Sequence, residues 1–229
     1  MNFRPKYSPN SLFNEMPTNT TYGRMRHSPI DSINNTLTQT ISSLSSPTNF
    51  WLTALGLILA FMCVMPAHAQ LKAGDAAPTF EAPGALAGQP VQFVLEEALK
   101  KGPVVLYFYP KAFTSGCTIE AQLFAESIDD FKAYNTTVVG MSADDMTTLK
   151  KFSSGPCAGK FIVAADENQA IMKKYDAALK MWPGVADRIS YVITPDKKIQ
   201  FMYEGMNPEQ HVQKTLAAVK SYLQSVSTK

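Results

Sequence analysis

The pattern of apolar and polar positions changes character twice along the chain. Up to residue 49 no apolar period is sustained, and 27 of the first 50 residues are Ser, Thr, Asn or Pro. Such a stretch buries too little surface to offset the entropy of ordering it, so residues 1–49 are expected to be a disordered or misassigned extension. Phe50 to Met65 then runs for 16 residues without a charge (FWLTALGLILAFMCVM), followed by Pro66 and the small-x-small tripeptide Ala67, His68, Ala69. This reads as a signal peptide over residues 50–69, cleaved to leave Gln70 first and the domain periplasmic or secreted. A membrane anchor is the other use of the same run, which is somewhat short of the ~20 residues of a spanning helix. The stretch before it is long for a signal peptide, and Met25 is an alternative start. Cys63, inside the run, reads as a plain hydrophobe.

Beyond Gln70, strand and helix patterns alternate. Val104 to Tyr109 (VVLYFY) is a continuous apolar run stopped by Pro110, which predicts a buried central strand. A turn-rich stretch, Lys111 to Gly116, follows it. From Cys117 to Asn135 the residues Ile119, Leu123, Phe124, Ile128 and Phe131 recur at helical spacing without Gly or Pro, predicting one long helix with Cys117 in its first turn. Thr137 to Met141 is the next strand, and Asp144 is the expected cap of a helix carrying Met146, Leu149 and Phe152. The segment SSGPCAG, Ser153 to Gly159, breaks that helix. A third strand (Phe161 to Ala164), a short helix (Gln169 to Tyr175) and a hairpin (Ile189 to Ile193 with Ile199 to Tyr203) come next. Asn207 and Pro208 start a last helix with an apolar stripe of Val212, Leu216, Val219, Leu223 and Val226, and His211 is expected on its surface. The fold class is α/β over residues 70–229, a central mixed β-sheet flanked by helices.

Composition narrows the chemistry. The chain has 21 basic and 19 acidic residues, which provides no field for gripping nucleic acid. Its three histidines (His27, His68, His211) and three cysteines (Cys63, Cys117, Cys157) are too scattered for a zinc, haem or C-x-x-C site. Past Gln70 only His211, Cys117 and Cys157 remain, so chemistry falls to cysteine, with no metal or organic cofactor required.

A thiol is a poor nucleophile until it ionises, and the N-terminus of a helix favours the anion through unpaired N–H groups and the helix dipole. Cys117 is expected in such a position, with the Thr114 hydroxyl one turn before it, Gly116 letting a substrate approach the backbone, and Pro110 fixing the loop. The plain alternative is an inert buried cysteine that happens to begin a helix.

The run P-K-A-F-T-S-G-C, Pro110 to Cys117, resembles the P-x-x-x-T/S-x-x-C signature of the peroxiredoxins. The similarity extends from GDAAPTF (Gly74 to Phe80) through the last helix and is closest to the bacterioferritin-comigratory, or Q-type, branch. The resemblance implies a thioredoxin-like fold and reduction of hydrogen peroxide or alkyl hydroperoxides, with Cys117 as the peroxidatic cysteine. It also implies that Arg188, in DRISYVI, favours the thiolate and binds the polarised peroxide, and that Glu120 orients Arg188. By themselves Arg188 reads as a charged strand end and Glu120 as a solvated helix face.

One departure concerns the second cysteine. Many Q-type members carry it five residues after the first, where this chain has Gln122, and no cysteine follows Cys157. Cys157 is therefore the candidate resolving cysteine: its turn-rich segment is expected to be exposed and mobile, whereas a buried structural thiol is the alternative. A disulfide needs Cα atoms within ~7 Å, so both cysteine segments are expected to unwind locally. The implied partners are the peroxide and a thioredoxin-like or other dithiol reductant, with the protein a monomer or weak homodimer. Trp182 and Pro183 are expected in a loop that could rim the pocket. Competing functions are a thioredoxin-fold binding or holdase protein without turnover and a thiol–disulfide oxidoreductase, the latter opposed by the missing C-x-x-C.

Overall fold

A computed structural model describes residues 70–228; the expected extension 1–49 and the apolar segment 50–69 lie outside the described residues. Seven strands form one sheet among the described residues: β1 (Glu81–Leu86), β2 (Gln89–Val94), β3 (Val104–Phe108), β4 (Thr137–Ser142), β5 (Ile162–Ala165), β6 (Ile189–Ile193) and β7 (Ile199–Glu204). Their order is β2-β1-β5-β4-β3-β6-β7. β3 pairs in parallel with β4, and β4 with β5, while the remaining pairings are antiparallel. The expected mixed sheet is present, with β3 buried along its whole length near the middle.

Among the described residues six helices cover the two faces: α1 (Leu95–Leu99), α2 (Ser115–Glu126), α3 (Ile128–Ala133), α4 (Met146–Ser154), α5 (Ala170–Lys174) and α6 (Pro208–Ser227). Because strand side chains alternate, β3 sends Val104, Leu106 and Phe108 into one core layer and Val105 and Tyr107 into the other. The first layer is closed by Leu95 and Leu99 of α1 and by Ile171 and Met172 of α5. The second is closed by Phe124 of α2, Phe131 of α3, Leu149 and Phe152 of α4, and Val212 and Val219 of α6. Cys117 and Cys157 both belong to this second layer. Phe124 stacks on Tyr107 with ring centroids 4.4 Å apart, fixing α2 against the central strand.

Two local expectations are corrected, and one hairpin is added to those expected. The helix expected over Cys117–Asn135 is two helices, α2 and α3, parted at Ser127 (φ −90°, ψ 3°), and α2 begins at Ser115. The cap of α4 is Asp145, whose carboxylate accepts the Thr148 N–H at 2.7 Å; the neighbouring Asp144 turns away to accept the Ala112 N–H. The β1–β2 hairpin has no counterpart in the apolar pattern. Its turn, Ala87 and Gly88, holds both residues at positive φ, as tight antiparallel turns require.

Candidate functional site

Cys117 stands in the first turn of α2, where the backbone N–H groups have no intrahelical acceptor. The chain reaches it from β3 through Pro110 and a loop of four residues. Within that loop the Thr114 hydroxyl donates to the Lys111 carbonyl at 2.9 Å, and the Thr114 carbonyl accepts the Thr118 N–H, also at 2.9 Å. Thr114 is exposed and occupies the N-cap, while the Cys117 side chain is 1% exposed.

Arg188, on the residue before β6, extends its guanidinium under α2. Nη2 donates to the Cys117 sulfur at 3.3 Å and Nη1 donates to Glu120 Oε2. The two acceptors are one helical turn apart on α2, so a single planar guanidinium spans both. Burial opposes the charge on Arg188, but Glu120 and Cys117 outweigh it and tighten its hold on the proton. Burial pushes the Glu120 carboxyl up, to about 8, against the pull of Arg188. Its second oxygen, Oε1, has no hydrogen-bond partner.

His211 is corrected from helix surface to core: it is fully buried at the start of α6. Nε2 lies 2.8 Å from the Gly205 carbonyl and Nδ1 2.8 Å from the Ser190 hydroxyl. Burial pushes the imidazole down, to about 4, so it is neutral near pH 7. A carbonyl only accepts, so Nε2 carries the hydrogen, and the bare Nδ1 accepts from Ser190. Nδ1 also faces Glu120 Oε1 at 3.7 Å. Nothing in the local pattern around His211 signals this contact, because its partners Ser190 and Gly205 come from β6 and from the turn after β7.

Cys157 also departs from expectation. The residues around it, Ser154, Gly155 and Ala158, are exposed, but its own side chain is 0% exposed. The Cys157 N–H donates to the Phe152 carbonyl at 3.2 Å, which turns the thiol inward against the α4 side of the core. Burial raises the thiol's proton affinity far above its ordinary value. Both cysteines are free. Trp182 and Pro183 lie in an exposed loop, Trp182 at 69% exposure.

The arrangement offers a sulfur at a helix N-terminus, a buried cation beside it, and a second thiol in the same core layer. Residues 73–202 match the AhpC/TSA family. The chain is 32% identical over 149 residues to a rice (Oryza sativa subsp. japonica) protein called peroxiredoxin Q, chloroplastic, a match covering 65% of this chain and 66% of that one. It therefore spans just under two thirds of that relative's length. With peroxiredoxin Q of Populus jackii it is 31% identical over 154 residues, 67% of this chain and 70% of the other. The crystal structure of peroxidoxin BcpB from Mycobacterium tuberculosis is similar at a TM-score of 0.60 and 28% identity, covering 66% of this chain and 98% of that one. AhpC from the same organism is similar in fold, with a TM-score of 0.60 and coverage of 69% and 95%.

Proposed function

The chain belongs to the AhpC/TSA family, and from that premise we propose that it is a thiol peroxidase that reduces hydrogen peroxide and alkyl hydroperoxides at Cys117. The observation that carries this reading is the 3.3 Å contact between Arg188 Nη2 and the Cys117 sulfur at the start of α2. The Cys117 thiolate attacks the terminal peroxide oxygen. A sulfur–oxygen bond forms, the O–O bond breaks with two electrons supplied by sulfur, and the distal oxygen leaves as hydroxide or alkoxide, which collects a proton to become water or an alcohol. Arg188 is placed to bind the oxygens as charge develops on them, and Glu120 holds the guanidinium in line from its other Nη. Thr114 is exposed and its hydroxyl hydrogen goes to the Lys111 carbonyl, so in this reading its oxygen accepts a hydrogen bond from the incoming peroxide. Pro110 fixes the exit of the chain from β3.

The sulfenic acid is next attacked by the Cys157 thiol; an S–S bond forms and hydroxide leaves, protonated to water. A thioredoxin-like dithiol then supplies two electrons and returns both cysteines to thiols. In the closed fold Cys157 is too buried for this step, so the segments after Pro110 and after Ser154 open locally between the two reactions. Export by way of the apolar segment 50–69 belongs to the same reading on the strength of its uncharged run and the Ala67-His68-Ala69 tripeptide, and a protein outside the cytoplasm then needs a reductant delivered to it. The full chain, given peroxide and a dithiol reductant, should consume peroxide catalytically, whereas Cys117→Ser should not. Undiminished turnover by the serine variant would exclude Cys117 as the nucleophile.

A further inference from the structure

The loop that presents Cys117 is tied to the end of the neighbouring strand β4 by one carboxylate. Asp144, in the turn between β4 and α4, accepts the backbone N–H of Ala112 at Oδ2, 2.7 Å away. The same oxygen accepts the Ser142 hydroxyl at 2.9 Å, and the Asp144 N–H returns to that hydroxyl at 3.3 Å, so the carboxylate is itself held in place. Ala112 is buried and stands midway between Pro110 and the N-cap Thr114. No backbone partner takes up its N–H, and Asp144 is what keeps this donor from being stranded in the core.

A second contact joins the same two segments. Phe113 sits at φ +64°, a left-handed conformation that is costly for an aromatic residue, and is 52% exposed. Its ring meets Phe152 of α4 edge to face, with centroids 5.2 Å apart. Phe152 in turn accepts the Cys157 N–H at its carbonyl. Contacts therefore run without a gap from Asp144 and Ala112, through Phe113 and Phe152, to Cys157. Displacing the loop that carries the first cysteine therefore removes the Phe113 contact from Phe152, the residue whose carbonyl holds the Cys157 N–H.

We propose that Asp144 is a positioning residue that, through the Ala112 N–H, holds the Cys117 loop closed for peroxide attack, and whose release frees both cysteines together. This rests on the peroxidase reading of the site. Peroxide attack needs the closed arrangement, in which Arg188 touches the sulfur; disulfide formation needs the open one. Weakening the Asp144 contact slows attack and speeds Cys157 alkylation through a local opening, so the added alkylation is nearly independent of urea, whereas plain loss of structure exposes the buried Cys157 through global unfolding and is steeply urea-dependent.

The test uses the full chain, with peptide mass spectrometry to separate Cys63, Cys117 and Cys157. In Asp144→Ala, peroxide attack on the reduced protein falls about tenfold, the size of one hydrogen bond to a charged group. Alkylation of reduced Cys157 by N-ethylmaleimide speeds up by about the same factor. Asp144→Asn, whose amide oxygen still accepts the Ala112 N–H, returns both rates close to the wild type. Phe113→Ala, a change on the exposed side of the loop, also speeds Cys157 alkylation and provides the reading should the alanine variant at 144 fail to fold. Both rates within about twofold of wild type in Asp144→Ala, the range of an ordinary surface change, overturn the inference. So do a fall in both rates with no rescue by asparagine, and unchanged alkylation in Phe113→Ala. A wild-type chain inert to peroxide overturns the peroxidase reading and this inference with it; a wild-type chain that turns over beside an unaffected Asp144→Ala overturns this inference alone.

Discussion

Gly116 lies so close to Arg188 that a methyl group on its α-carbon would meet Nη2 at 3.0 Å. The glycine that the sequence suggests as an opening for substrate is thus also the space the guanidinium occupies beside the sulfur. Gly116→Ala should displace Arg188 by a few tenths of an ångström from Cys117 and slow peroxide attack, with little change in unfolding midpoint. The rate in this variant is measured by stopped flow against wild type. An unchanged rate would mean that Arg188 has room to yield without losing the sulfur.

The cation itself is tested by Arg188→Lys. A lysine keeps a positive charge but cannot donate to Cys117 and Glu120 from one rigid plane. Its attack rate should fall by about 10–100-fold, the range for losing a preorganised donor or charged hydrogen bond, and Arg188→Ala should fall further. A lysine variant as fast as wild type would reduce the role of Arg188 to charge alone.

How far the sequence reaches into this site differs residue by residue. β3, the start of α2 and the place of Cys117 are legible because a six-residue apolar run, a proline and a helical period follow each other directly. Arg188 is 71 positions from Cys117, and only the family resemblance points to it. The β1–β2 hairpin escapes because β1 (EAPGAL) is largely Ala, Gly and Pro, and Pro90 interrupts β2 (QPVQFV) although it carries Val91, Phe93 and Val94. Gly84 is part of the reason for that composition: a Cβ there would come within 2.9 Å of the Val163 carbonyl on β5. Two adjacent aspartates, Asp144 and Asp145, are equivalent as caps on paper, and tertiary contact with Ala112 decides between them. For Cys157 the sequence correctly suggests a turn with exposed neighbours, but a loop's exposure does not fix the direction of one side chain within it.

His211 and Glu120 should give the folded protein opposing pH dependences. At His211 the folded value of about 4 lies below the ordinary 6.5, so between these pH values the unfolded chain binds more protons. Stability from this group therefore rises with pH across that window, by about 3 kcal/mol at most, and is level above it. At Glu120 the folded value of about 8 lies above 4.5, so the folded chain binds more protons and stability falls as pH rises from 4.5 to about 8. Between pH 4.5 and 6.5 the two slopes cancel, so wild-type urea midpoints should be level there and fall from 6.5 to about 8. Glu120→Gln should uncover the rise below pH 6.5, and His211→Asn should start the fall at pH 4.5. A midpoint that stays level from pH 4.5 to 6.5 in His211→Asn would assign the opposing slope to another group.

Tyr107 should tolerate loss of its hydroxyl. The side chain is fully buried, the hydroxyl has no hydrogen-bond partner, and burial pushes its proton affinity well up. A stranded polar group costs about 1–3 kcal/mol, and the ring contacts with Phe124, Tyr109 and Phe161 do not need the oxygen. Tyr107→Phe is therefore expected to raise unfolding stability by ~1 kcal/mol, read from denaturant melts. A loss of stability instead would reveal a partner for the hydroxyl in solution.

The fate of Cys157 separates two ways of resolving the sulfenic acid. Its thiol is 0% exposed and held in the protonated form by burial, so in the closed fold it is a poor nucleophile. It nevertheless shares a core layer with Cys117, so the two need only an opening on one face of the sheet, not a passage through it. The turn after α4 already places Ala158 and Gly159 at positive φ, a short irregular stretch whose neighbours are exposed and which can unwind without disturbing a strand. Peroxide-treated protein, digested without reduction, should yield a Cys117–Cys157 peptide pair. Cys157→Ser should consume about one equivalent of peroxide and then stall with dithiol reductants that act through the disulfide. A free Cys157 after oxidation, together with steady turnover of the serine variant, would instead make this a one-cysteine enzyme whose sulfenic acid is resolved by an external thiol.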